Sequence, residues 1–122
     1  MAISGYTVDT PGLRALAANA DVLVSEVMNK ADLEETECAF GRVPDHRLER
    51  IFWDIRTYHI DLPELAELAN DARVATLVMT HLVPAVDDPR QLYLFFHHPA
   101  SALYNGTLVV AEDETEVVIS LP

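Results

Sequence analysis

Apolar positions recur at two periods along this 122-residue chain, and the switches between them mark out its elements. Thr10-Pro11 supplies a helix cap followed by proline at the first helical position, with Leu13, Leu16, Ala17 and Ala20 at helical spacing behind it. That predicts a short helix over about Pro11–Ala18. Val22 to Val27 is apolar and rich in β-branched residues, so it reads as a buried strand. From Lys30 to about Asp54 the chain is acidic and helix-favouring, but Gly41 and Pro44 interrupt it. Two helical pieces are expected, Asp32–Phe40 and Asp45–Asp54.

Asp61 is placed to cap a helix opening at Leu62-Pro63-Glu64, with Leu65, Ala66, Leu68 and Ala69 on its buried side. Val74 to Met79 is a second apolar run of strand length. Two such runs around one helix predict a strand–helix–strand unit with parallel strands covered on both faces. A loop follows over Thr80–Arg90, and then Gln91–His98, read as helical, with a strand over Leu92–Phe96 as the alternative. After a turn at Tyr104-Asn105-Gly106, Leu108–Ala111 and Val117–Ile119 predict a terminal hairpin. The expected fold class is α/β, a mixed sheet with flanking helices and a C-terminal hairpin, in a single domain over residues 1–122.

This connectivity has a consequence for the polar residues. In a strand–helix–strand unit the helix starts at the edge where parallel strands finish, and the next strand finishes there too. His59, just before the helix at Leu62, and His81, just after the run ending at Met79, therefore belong to one rim of the sheet. Glu26 and the Gly5-Tyr6-Thr7 turn reach the same rim, where open α/β proteins place ligands. Thr80 joins them as a rim residue.

Each position also has a plainer reading. His81 would hydrogen-bond a loop backbone, His59 would mark a helix entry, and Glu26 would be a solvated acid. His97-His98 looks like a metal pair, but helical neighbours point about 100° apart, so an exposed helix end is expected instead.

Charge narrows the function classes. Twenty acids against eight Lys and Arg give a net charge of −12, which repels phosphate backbones and anionic lipid. Nucleic-acid and membrane partners are thus not expected of the isolated chain. The acids Asp32, Glu34, Glu35 and Glu37 form either a solvated helix face or a surface for a basic protein. With 50% hydrophobic residues the chain has the profile of a folded domain, and no apolar run approaches a bilayer span. The one cysteine, Cys38, lies among acids, which disfavours a thiolate, and it fits a reducing cytoplasm.

Taken in order, the segments resemble the second half of metallo-β-lactamase-fold hydrolases, in the ribonuclease Z and arylsulfatase-like branch. The likeness is carried by Ser4-Gly5-Tyr6-Thr7, Ala20–Val27, Tyr58-His59, the helix from Leu62, Val74–Met79 and Tyr104-Asn105-Gly106. Its most specific piece is Thr80-His81-Leu82-Val83-Pro84.

The resemblance implies half of an αββα sandwich. It also implies a rim at which two metals, usually zinc, activate a hydroxide. Carried over by position, His81 is a metal ligand, His59 the histidine beside the scissile phosphate, and Glu26 the acid supporting it. Tyr6 stands where the family has a bridging aspartate. The family's His-x-His-x-Asp-His segment has no counterpart in this sequence.

One imidazole is far short of a catalytic zinc shell. The expected function is therefore a non-catalytic binding or assembly module, with zinc weak or absent. The alternative is half of a zinc-dependent hydrolase completed by a partner chain or by a missing N-terminal half. A homodimer, or a partner chain supplying the missing half, is expected to cover the sheet face that the absent half would cover.

Overall fold

The computed structural model describes residues 1–40 and 46–119. The elements run β1 (Ala2–Ile3), α1 (Pro11–Ala17), β2 (Val22–Met28), α2 (Lys30–Phe40), α3 (His46–Ile55), α4 (Leu62–Asp71), β3 (Thr76–Val83), α5 (Pro89–Leu92), a π-helical turn (Tyr93–His97), α6 (His98–Leu103) and β4 (Thr107–Val110). Residues Gly41 and Pro44, expected to separate two helices, lie outside the described residues. The helix starts follow the expected caps. Thr10 Oγ1 accepts from the Leu13 amide at 3.1 Å ahead of Pro11. Asp61 accepts from the Leu62 amide at 3.0 Å ahead of Pro63.

The four strands lie in the order β1-β2-β3-β4. All three pairings are parallel. In register, Ala2, Leu23, Leu77 and Leu108 form one row across the sheet, and Ser25, Met79 and Val110 another. These rows join Leu13 and Ala17 of α1, Leu65, Leu68 and Ala69 of α4, and Phe96, Ala100 and Tyr104 in one core. Because side chains alternate across a strand, Ile3, Val24, Val78 and Val109 share the opposite face. None of these four belongs to that core, and Ile3 is 60% exposed. The architecture is one α/β layer pair, half of an αββα sandwich.

Two expectations are corrected here. Among the described residues the sheet is wholly parallel, not mixed, because β4 pairs alongside β3 in the same direction. The C-terminal hairpin does not form. Glu112–Thr115 makes a turn, with the Thr115 amide donating to the Glu112 carbonyl at 3.1 Å, yet Val117–Ile119 is no strand and Val118 is 88% exposed. Three apolar residues flanked by acids bury too little surface to offset the entropy of ordering a strand at an open edge.

A third boundary also moves. β3 runs on to Val83, so Thr80 and His81 stand within the strand instead of in a loop beyond it.

The helical reading of Gln91–His98 holds, though through a π-helical turn. His97 and His98 sit inside this run and not at its exposed end. Both rings stack on Tyr93, at centroid distances of 5.3 and 5.9 Å, because widening the turn brings residues i+4 and i+5 over one side chain.

Candidate functional site

The rim takes its shape from a break in the β2–β3 ladder. Glu26 pairs with Thr80, but Val27 pairs with Leu82, which leaves His81 as an extra residue. Its φ is 45°, in the left-handed region that few non-glycine residues adopt. Such a bulge re-aims a side chain and costs about 1–3 kcal/mol locally. The result is that the His81 ring stands 5.6 Å from the His59 ring and nearly parallel to it, at 22°.

His59 arrives from the opposite direction, just ahead of α4. Both it and Glu26 are buried, at 5% and 4% exposure. Glu26 holds the pair together with both of its oxygens. Oε2 accepts from His59 Nδ1 at 2.6 Å, and Oε1 accepts from the Ile60 amide at 3.1 Å. In a neutral imidazole this makes Nδ1 the donor and leaves the lone pair on Nε2. Burial of a carboxylate inside a strand is tolerable only with such partners.

Tyr6 completes the group from the turn after β1. Its ring lies 5.2 Å from His59 and 5.0 Å from His81, tilted steeply to both. Tyr58, whose side chain was not singled out by sequence reasoning, packs at 4.7 Å from His59 and 6.3 Å from Tyr6. A tyrosine adjoining a predicted rim histidine was the available signal.

The Tyr6 turn is tied down through half-buried Ser4 and buried Ser25. Ser4 Oγ donates to Ser25 Oγ at 3.0 Å, Ser25 Oγ donates to the Glu26 carbonyl at 2.9 Å, and the Ser4 amide donates to the Val24 carbonyl at 2.9 Å. The Thr7 hydroxyl turns to its own backbone, donating to the Val8 carbonyl at 2.9 Å. Thr80 lies opposite Glu26 and, with His81, lines a hollow on the outer side of the rim. The structure thus brings Glu26, His59, His81 and Tyr6 together, with Thr80 beside them.

The donor chemistry can be tested against the dinuclear zinc centre that the resemblance implies. His59 spends Nδ1 on Glu26, and both Glu26 oxygens are committed. That leaves His59 Nε2, His81 and the Tyr6 phenol, two imidazoles and a poor ligand, against the three protein ligands that each catalytic zinc normally needs. Among the described residues, no three His, Cys, Asp or Glu side chains form a group able to hold a metal ion. The residues present do not fit the centre.

A sheet with helices packed on one face is an arrangement that the metallo-β-lactamase fold shares, and a solved structure of that fold matches it. The metallo-β-lactamase fold protein YhfI from Bacillus subtilis superposes on 90% of this chain, which matches 36% of that one, with a TM-score of 0.57 and 15% identity.

Sequence comparison is more specific. The chain is 40% identical over 84 residues to ribonuclease Z of Mycobacterium tuberculosis (strain ATCC 25618 / H37Rv), covering 69% of this chain and 27% of that protein. It is 43% identical over 84 residues to ribonuclease Z of Mycolicibacterium paratuberculosis (strain ATCC BAA-968 / K-10), covering 69% and 26%. No protein-family model matches. The chain belongs to the ribonuclease Z-like family of metallo-β-lactamase-fold proteins, and spans about a quarter of the length of these two relatives. No helix among the described residues is long and apolar enough to cross a membrane.

Proposed function

We propose that this chain is a ribonuclease Z-like unit that serves as a non-catalytic binding or assembly module. The observation that carries the reading is the position of Tyr6. Its ring stands against both His59 and His81, at 5.2 and 5.0 Å, where the resemblance places a carboxylate bridging two metals. A phenol is a poor ligand unless ionised, and it cannot bridge as a carboxylate does. The rim keeps its shape, its buried Glu26–His59 pair and its strained His81, and offers these to a small ligand. Any zinc held at His81 alone would be weak.

The assembly side of the reading rests on the sheet. Ile3, Val24, Val78 and Val109 share an apolar face that the helices of the core do not, with Ile3 exposed, Val24 and Val109 half-buried and Val78 already buried. A second copy of this chain, or a partner supplying the other half of the sandwich, would cover it.

A second reading is favoured by one observation, the Glu26–His59 contact at 2.6 Å with both groups buried. Buried charge-assisted pairs of this kind orient general acids and bases. In a hydrolase completed by a partner chain or an N-terminal half, His59 would give a proton to the leaving group and Glu26 would orient it.

One experiment separates the readings. The purified chain, sized by light scattering, is assayed with added zinc against a phosphodiester. The expected result is a dimer or larger species whose turnover equals that of the His81→Ala variant. Turnover by the wild-type chain that His81→Ala abolishes would overturn the leading reading, and a stable monomer at micromolar concentration would remove its assembly part.

A further inference from the structure

The turn that feeds β4 contains the one Asn-Gly pair of the sequence, Asn105-Gly106, and both residues are exposed. An asparagine side chain carries an electrophilic amide carbon, Cγ, close to the backbone nitrogen of the following residue. Attack by that nitrogen closes a five-membered ring. A following glycine presents its nitrogen with no Cβ beside it to shield the approach.

The four asparagines of the chain differ in how these two reacting groups are held. Asn29 donates Nδ2 to the Phe95 carbonyl at 2.6 Å, and its Oδ1 accepts from the Asp32 amide at 3.3 Å. Asn70 donates Nδ2 to the Leu103 carbonyl at 2.8 Å, and its Oδ1 accepts from the Asn105 amide at 3.0 Å. The nitrogens that would attack are occupied too. The amide of Ala20, after Asn19, donates to the Ala17 carbonyl at 3.0 Å. That of Lys30 donates to Asp61 Oδ1 at 3.1 Å. Asp71, after Asn70, is the last residue of α4, where amides bond back along the helix.

Asn105 differs on both counts. Among the described residues its side chain makes no hydrogen bond, and neither does the Gly106 amide. Neighbouring groups keep the pair in place, with the Asn105 amide on Asn70 and the Thr107 amide on the Ala75 carbonyl at 2.9 Å.

We propose that Asn105 is a site of spontaneous deamidation, and that its isoaspartate product loosens β4. The Gly106 nitrogen gives up its proton to solvent and bonds to Asn105 Cγ. The bond from Cγ to Nδ2 breaks, and Nδ2 leaves as ammonia. Water then opens the ring at one of its two carbonyls, leaving either aspartate or isoaspartate at position 105. The aspartate only adds a charge at an exposed position. The isoaspartate lengthens the main chain by one methylene just ahead of Gly106, a residue so enclosed that even a Cβ would lie 2.7 Å from the Ala75 carbonyl. The bond from the Thr107 amide, which opens the β3–β4 pairing, is the first to be strained. This inference is independent of how the rim is read.

The test is prolonged incubation of the full chain in warm, mildly alkaline buffer, followed by tryptic mass mapping. Asn105 is the one asparagine of the peptide Gln91–Pro122. That peptide is expected to gain about 1 Da and split into two isomers of equal mass, while those holding Asn19, Asn29 and Asn70 stay unchanged. In the isoaspartate fraction the Thr107 amide is expected to exchange with solvent faster than in Asn105→Asp, which reproduces the added charge with a normal main chain. Asn105→Gln, an exposed and conservative change, is expected to abolish the mass gain of this peptide.

A gain that appears first at another asparagine, or that persists in Asn105→Gln, would overturn the site. So would a peptide that keeps its mass while an unstructured Asn-Gly peptide in the same tube deamidates. Equal Thr107 exchange in the isoaspartate fraction and in Asn105→Asp would overturn the loosening of β4.

Discussion

Replacing Gly106 with alanine is expected to destabilise the fold by about 3 kcal/mol, at the upper end of the cost of overpacking a filled site. A Cβ at this position would strike the Tyr104 hydroxyl and ring, and would lie 2.7 Å from the Ala75 carbonyl. The carbonyl cannot yield, because it already accepts from the Thr107 amide at 2.9 Å where β4 joins β3. The ring is equally committed. Tyr104 is buried, its hydroxyl donates to the Val74 carbonyl at 2.6 Å, and burial pushes that hydroxyl above the ordinary phenol range.

The alanine variant must therefore push out a core aromatic or separate an edge strand. Chemical denaturation measures the difference, and a midpoint unchanged from wild type would show that the turn has slack the structure does not contain. The raised phenol has a pH signature of its own. Stability from the neutral hydroxyl is complete below the ordinary phenol range and is lost as pH rises through the folded value, a loss that Tyr104→Phe would not show.

Glu26→Leu is expected to cost a similar amount, about 3–5 kcal/mol, for a different reason. The substitution is apolar and close in length, so packing is not the main term. It leaves His59 Nδ1 and the Ile60 amide, both now held by the carboxylate, without acceptors in a buried site. Each orphaned donor costs roughly 1–3 kcal/mol. Glu26→Gln keeps an acceptor for one of the two and should lose less. Denaturant melts of the two variants side by side check the order; equal losses would mean that strand packing, and not the hydrogen bonds, sets the cost.

Much of this site was legible from the order of elements alone. The rule that a crossover helix begins where parallel strands end placed His59, His81, Glu26 and Tyr6 on one rim before any distance was known. The caps at Thr10 and Asp61 were readable because a single side chain and a following proline define them locally.

What escaped was set by pairing between distant segments. Nothing in Thr80-His81-Leu82 announces a bulge, since the register slip exists only against Val27 of β2. The end of β3 moved from Met79 to Val83 for the same reason. Val117–Ile119 had strand-like composition, but three apolar residues flanked by acids bury too little to hold a strand at an open edge. The parallel direction of β4 likewise follows from the α5–α6 helical run carrying the chain back across the sheet, which a local pattern does not encode. His97 and His98 were misplaced because a π-helical turn changes which neighbours share a face.

Tyr6 stands where the resemblance places a metal-bridging carboxylate, and zinc calorimetry on the wild-type chain and Tyr6→Asp tests the non-catalytic proposal most directly. The variant adds a carboxylate ligand beside His59 Nε2 and His81 and is expected to bind zinc at least about tenfold more tightly than the wild type, whose two imidazoles and phenol hold it weakly. A wild-type chain that takes up two zinc ions tightly by itself, with no gain from the aspartate, would contradict it.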